Sequence, residues 1–320
     1  MAASTVTHYR EFAPCEELRE YVRAFFSFAP ESGEPAARRQ LLFQARFGKG
    51  DPFCSPLFAD AHSSLVFSLG TVCRADGSWH RSSSEAEGKL IGPMTRVDPA
   101  FAGDLPALVG VYIRAGQSAV VAHAPAAELT DKIVRLCDLW GGAAAGLASD
   151  FDGMSEAARI DRLEAILLRR VHVRLRSGSS FDVPRLAAWI RERRGQVSVE
   201  TLAHTAGVSR QHLTRVFQAS VGVTPKLYCR LARFRSALAY AGRGADVDWA
   251  RAAAEAGYSD QSHMIAEFRE FSSLTPQRLA AERWFHPFIE RARAGKQGAR
   301  WLEPPAYGTL KERGDTAAAR

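Results

Sequence analysis

One pattern is written twice near the C-terminal end of this sequence, and few folds accommodate both copies. The first copy has Val199, Leu202-Ala203, Gly207-Val208-Ser209, Phe217 and Thr224-Pro225. The second has Trp249, Ala252-Ala253, Gly257-Tyr258-Ser259, Phe268 and Thr275-Pro276. The offset is 51 residues at Phe217 and Phe268, after one residue inserted between the Gly and the Phe of the second copy. Each copy reads as a short helix ending at Gly, a tight turn capped by Ser, and a second helix with a buried aromatic near its end. Alanine suits a place where two helices cross closely, and glycine frees the chain to turn sharply. The pattern is a helix-turn-helix, present twice.

The flanking residues complete the unit. Asp182 is a good helix cap, Pro184 fits a first turn, and Leu186, Trp189 and Ile190 share a face, which predicts a preliminary helix ending at Arg194-Gly195. Between the copies, Thr224-Pro225 opens a helix whose Leu227, Leu231, Phe234 and Leu238 form a continuous apolar stripe. Its 17 or so residues make a rod of roughly 25 Å. Such a rod can hold two recognition helices about one DNA turn, roughly 34 Å, apart.

In the second helix of the first copy, Leu213, Val216 and Phe217 take the buried face, so Arg210, Gln211, Thr214 and Arg215 point outward. Arginine can donate twice to guanine, glutamine can pair with adenine, and threonine offers a hydroxyl or a methyl. Gln211, Thr214 and Arg215 are therefore the expected base readers, with Arg210 and His212 expected at phosphates. In the second copy, Gln261, Ser262 and His263 occupy the reading face and Arg269 lies near the backbone. Arg230 and Arg233, together with Arg235, lie off the stripe of the rod, where phosphate contact and an ordinary surface position are both open.

The charge distribution makes the two copies unequal. Lys plus Arg against Asp plus Glu is 20 against 21 for residues 1–181, 15 against 11 for 182–290 and 7 against 3 for 291–320. A polyanionic partner fits the C-terminal region only. Within it, residues 182–244 carry 11 basic and 3 acidic groups, and residues 245–290 carry 4 and 8. The counterpart of Arg215 is Ala266, with Glu267 and Glu270 beside it, which predicts a first motif that dominates readout.

These residues resemble the two-motif DNA-binding domain of the AraC family of bacterial transcription regulators. The resemblance rests on the run Ala206 to Phe217, on Gly222-Val223-Thr224-Pro225, on Ala256 to Met264 and on Phe268 to Pro276. It places base contacts at Gln211, Thr214 and Arg215, and at Gln261, Ser262, His263 and Ala266. The chain departs from the family at Ala266, where Arg is usual, and at Ser273, where Gly is usual. Membership would imply activation or repression of nearby genes, contact with RNA polymerase and, often, a homodimer.

Residues 1–141 read differently. A short amphipathic helix leading into a strand is expected within 12–28 from Leu18, Tyr21, Val22, Phe25 and Phe26, followed by β-prone runs at Gln40–Phe47, Ser64–Cys73, Lys89–Gly92 and Leu108–Ile113. Turns are expected at Asp76-Gly77 and Ala115-Gly116. Short strands so spaced suggest a small barrel or sandwich that can hold a small molecule. Asp60 to Gly70, Ile91 to Arg96, Gly110 to Gly116 and Pro125 to Asp131 resemble a sensor domain attached to one branch of the same family, which implies a cupin-like β fold. The expected fold class is thus α+β. A β-rich sensor spans 1–141, a helical connector with a possible dimer element and linker 142–181, the DNA-binding unit 182–290 and a basic tail 291–320.

Within the sensor, Phe67, Arg96, Tyr112 and Arg114 are candidates to meet an effector, Arg96 and Arg114 as carboxylate or phosphate binders. Phe43, Phe47, Leu65, Phe67, Leu69, Val111 and Ile113 either line a pocket or fill a core. Pairing with acids such as Asp98 is the competing reading for the two arginines. His62, His80 and His123 lack the spacing of a metal site, so no metal and no cofactor is expected. The helix expected at Ser155–Val173 either packs on its own domain or pairs with a second subunit. Five scattered cysteines, including Cys54 and Cys73, fit reduced thiols in a cytoplasm. No run of 18 apolar residues marks a membrane span. In the tail, Trp301, Leu302 and Tyr307 are the packing handles. The sequence therefore points to a DNA-binding regulator, not an enzyme. The competing readings are a catalytic β domain tethered to DNA and an effector-independent regulator.

Overall fold

The computed structural model describes residues 8–29, 59–73, 79–81, 88–96, 106–151, 153–172, 181–241 and 247–281. The expected strand at Gln40–Phe47, the turn at Asp76-Gly77, Cys54, Asp98 and the tail lie outside these residues. Among the described residues seven strands form one antiparallel sheet: β1 (His8–Phe12), β2 (Val22–Ala29), β3 (Ser64–Cys73), β4 (Trp79–Arg81), β5 (Gly88–Ile91), β6 (Pro106–Ile113) and β7 (Ile133–Arg135). Their order is β1-β2-β6-β3-β5-β7, with β4 on β3. Among the described residues this path is open, from β1 to β7, rather than closed into the expected barrel.

Alternation along the central strands separates two faces. Phe25, Leu65, Phe67, Leu69, Val109, Val111 and Ile113 enter one apolar cluster, while Phe26, Val66, Leu108, Tyr112 and Ile133 belong to another. The first face is covered by helices. Helix α1 spans Ser118–Ala122, α2 Ala126–Leu129, α3 Leu136–Trp140, α4 Leu147–Asp150 and α5 Glu156–His172. The apolar stripe of α5, Ile160, Leu163, Leu167 and Val171, packs into the same cluster as the strands. Leu65, Phe67, Leu69, Val111 and Ile113 are thus core.

The short helix expected within residues 12–28, leading into a strand, is corrected in its extent. Only Glu16–Leu18 forms a short 3-10 turn, and Val22–Ala29 is a strand, paired with Phe12 on one side at Phe25 and with Val111 on the other. Both of its faces are buried, so its apolar residues do not alternate with polar ones, and periodicity cannot tell such a run from a helix.

The second unit is all helical: α6 (Val183–Glu192), α7 (Val199–Ala206), α8 (Arg210–Val221), α9 (Pro225–Ala241), α10 (Trp249–Ala256), α11 (Gln261–Ser272) and α12 (Pro276–Ala281). One cluster runs through all seven helices, with Leu213, Phe217, Leu231, Phe234, Leu238 and Phe268 in it. The rod α9 presents Phe234 edge-on to Phe268 at 4.9 Å between ring centroids. No helix among the described residues is long and apolar enough to cross a membrane.

Candidate nucleic-acid interface

Each motif is built from the same local devices. Asp182 accepts from the Arg185 N–H at 2.9 Å, Ser198 from the Thr201 N–H at 3.0 Å and Ser209 from the His212 N–H at 3.2 Å, so one first-turn donor in each of α6, α7 and α8 is satisfied. In the second copy, Asp248 accepts from the Arg251 N–H at 3.0 Å. The cap of α11 corrects the sequence reading. Asp260, not Ser259, accepts from the His263 N–H, at 2.8 Å, and Ser259 donates to Asp260 at 3.0 Å. The inserted residue lengthens the turn by one, and a carboxylate takes the cap. The hydrogen bond from the His263 N–H, with that from Ser259, holds this carboxyl below its ordinary range.

On α8, Arg210, Gln211 and Arg215 are exposed, and Thr214 and His212 are half-buried. Arg210 pairs with Glu200 at 2.7 Å, and both side chains are largely in solvent. Such a surface pair contributes little, so a phosphate can replace Glu200 at small expense. Thr214 donates its hydroxyl hydrogen to the Arg210 carbonyl at 2.9 Å, which leaves its methyl and an oxygen lone pair for a base. Arg215 lies 3.3 Å from His212 Nδ1, and the His212 ring stands edge-on to Phe181.

On α11, Ser262, His263, Ala266 and Arg269 are exposed and Gln261 is half-buried. The ring of His263 is engaged on both sides, with Nδ1 3.2 Å from Ser259 Oγ and Nε2 3.6 Å from Glu267 Oε1.

Arg230 and Arg233 are half-buried and engaged within the helical unit. Arg230 donates to Glu267 at 2.8 Å and to Glu270 at 2.5 Å, and its guanidinium lies over the Phe271 ring. Arg233 reaches the Gly195 carbonyl at 3.5 Å and lies 3.9 Å from Glu267. Glu267, beside Ala266, thus draws both arginines toward the helical unit, and Glu270 holds Arg230 as well.

The four effector candidates do not converge. Phe67 is fully buried and packs edge-on against Phe151 on the helix-covered face. Tyr112 is on the opposite face, stacked on Phe26 with Arg23 over its ring. Arg114 is buried and donates to the Arg19 carbonyl at 2.6 Å. Arg96 is exposed. Residues of one strand alternate between faces, a separation that spacing alone did not register. Among the described residues no group of three or more His, Cys, Asp or Glu could hold a metal.

The β unit touches both motifs at corresponding places. After α8, Gly222 turns with φ 91°, and Thr130 donates to its carbonyl at 2.8 Å. A Cβ there would stand 2.6 Å from Thr130 Oγ1 and 2.9 Å from the Ala126 carbonyl, so this junction has room only for glycine. At the end of α11, the Ala59 N–H donates to the Phe271 carbonyl at 3.0 Å.

The rod itself is held by a buried polar cluster. Arg235 of α9 lies 3.2 Å from Asp60 and 2.7 Å from His62 Nδ1, and Arg191 of α6 lies 3.4 Å from His62 Nε2. Asp60 Oδ1 lies 2.9 Å from the same Nδ1, and Nε2 is within 3.4 Å of both Arg191 and Arg235. Burial first, and then the Arg235 charge, push the imidazole down to about 3, so it is neutral. Sequence reading had His62 only as a metal candidate and Arg235 only as an off-stripe cation. Nothing in their spacing of 173 residues ties them together.

Residues 202–282 match a family described as a helix-turn-helix domain. That span covers α8 to α12 and most of α7. No curated protein matches the sequence. Among solved structures, the chain is similar to ToxT from Vibrio cholerae, at 9% identity over 87% of this chain and 98% of that one, with a TM-score of 0.38. It is similar at 10% identity and a TM-score of 0.40 to ToxT bound to (E)-4-(8-methylnaphthalen-1-yl)but-3-enoic acid, over 72% of this chain and 95% of that one. Unsaturated fatty acid bound ToxT gives 9% identity and 0.37, over 87% and 95%. Scores this low carry no argument about mechanism.

Proposed function

We propose that this protein is a sequence-specific DNA-binding transcription regulator of the AraC type, with a cupin-like N-terminal domain that senses a small molecule. The observation that carries the reading is the pair of capped helix-turn-helix motifs on one rod, with Gln211 and Arg215 exposed on α8 and Ser262 and His263 exposed on α11. Helices α8 and α11 enter successive major grooves of double-stranded DNA. Gln211, Thr214 and Arg215 provide most of the base discrimination, and Arg210, His212 and Arg269 meet phosphates. Arg230 and Arg233 brace the domain instead.

The β unit acts on the readers through the Asp60, His62 and Arg235 cluster and through the seats at Gly222 and Phe271. An effector that shifts the β unit therefore changes how both recognition helices are presented. Promoter occupancy, contact with RNA polymerase and a homodimer are the expected outputs, in a cytoplasmic protein without cofactor or metal. Genome-wide mapping of bound DNA fragments tests the core of this reading. One recurrent motif with two half-sites about a helical turn apart supports it, and fragments without sequence preference at physiological salt refute it.

A further inference from the structure

Glu267 is the one acidic residue of the described chain that is buried, with 2% of its surface exposed. A buried carboxylate is destabilising unless charged or polar partners surround it. Its partners come from three different pieces of the DNA-binding unit. From the rod α9, Arg230 donates to Oε1 at 2.8 Å and Arg233 approaches it at 3.9 Å. From the reading end of its own helix, His263 Nε2 stands 3.6 Å away, one turn back. From the turn between α10 and α11 comes Tyr258, whose ring stacks edge-on with His263 at 5.2 Å. Arg233 also lies over the Tyr258 ring at 5.9 Å. Glu270 holds the second arm of Arg230.

The corresponding place in the first motif is Val216, a half-buried apolar residue packed on the core. At this place the first recognition helix is thus seated by apolar contact, which is tolerant of small rotations. The second adds directional ion pairs there to its buried Met264, Phe268 and Phe271, and these constrain the rotation of α11 about its axis and the plane of the His263 ring.

We propose that Glu267 is a positioning residue for the second recognition helix: it sets the angle at which α11 and His263 meet DNA, while the first motif reads independently of it. The proposal rests on the reading of α11 as a DNA reader. Arg230 is the rod-side half of the same device.

The test uses the full chain on a DNA fragment carrying a mapped site. Hydroxyl-radical footprints and binding titrations against single-base changes report each half-site separately for the wild type, Glu267→Gln and Arg230→Met. Glu267→Gln keeps shape and removes charge, and Arg230→Met removes the partner but not the carboxylate. Discrimination at the second half-site is expected to fall about tenfold in both variants, and at the first to stay within about twofold. Equal loss at the two half-sites, or no loss at the second, overturns the proposal. Should Glu267→Gln fail to fold, as a thermal melt would show, Arg230→Met carries the same expectation and the same refutation. A wild-type protein that protects a single half-site overturns the two-motif reading itself, a different failure visible before any variant is made.

Discussion

The two helix-turn-helix motifs share a backbone and differ in nearly everything that meets the outside. Both have a first helix capped by an oxygen side chain, a glycine turn at Gly207 or Gly257, and a buried Phe217 or Phe268. Yet the first offers Arg215 where the second offers Ala266, and it is seated by Val216 where the second uses Glu267. The lesson is that the scaffold and the readout are separable. Apolar positions and caps fix the fold of each copy, while the outward residues and the seat of the second helix differ between them.

The largest effect should show that the scaffolds are equivalent. Phe217→Ala and Phe268→Ala each remove a fully buried ring and should each lower stability by about 3–5 kcal/mol in urea unfolding. A near-zero loss for either would mean that the copies are not comparable units. Readout comes next. Arg215→Ala should weaken binding to the cognate site by about 1–3 kcal/mol, and His263→Ala by less, in gel-shift titration. Equal losses would end the asymmetry.

Turn chemistry separates the copies again. At Gly222 a methyl group meets the β unit, so Gly222→Ala should destabilise by about 2 kcal/mol, close to the cost of a left-handed residue plus the clash. Its counterpart Ser273 also has positive φ, 58°, and already bears that strain. Ser273→Gly should therefore stabilise by up to about 1 kcal/mol in a thermal melt.

Acid should act on both motifs together, because His62 is linked to the rod they share. The imidazole is held near 3 in the folded chain against an ordinary 6.5, so the folded protein binds fewer protons than the unfolded one between these values. Stability contributed by this site is complete above about pH 6.5 and is lost as pH falls toward 3, by at most about 1.4 kcal/mol per pH unit. Calorimetry from pH 7 to 5 should show a steeper decline for the wild type than for His62→Gln. Parallel declines would remove His62 as the cause, and a footprint lost from one half-site only would break the shared-rod account.

Much of the helical unit was legible because its signals are local. Asp182, Ser198, Ser209 and the glycines set helix ends within a few residues of themselves, and the stripe Leu227, Leu231, Phe234 and Leu238 fixed the rod. The β unit was less legible. Strands β3, β5 and β6 fell close to the expected runs, but β2 was mistaken for a helix because both its faces are buried. The candidate effector residues Phe67, Tyr112 and Arg114 were chosen for residue type, and the sheet sends the first two to opposite faces.

By itself, then, the sequence determined the duplicated motif, every cap but that of α11, its rod and the unequal charge of its copies, since all depend on residues close together in the chain. Only the tertiary structure decided where Arg230, Arg233 and Arg235 point, that Glu267 joins α11 to the rod, and that His62 and Asp60 meet α9. Those partners lie 34 to 175 residues apart. The choice of partner for a buried charge is made by which surfaces pack together, and no spacing along the chain encodes it.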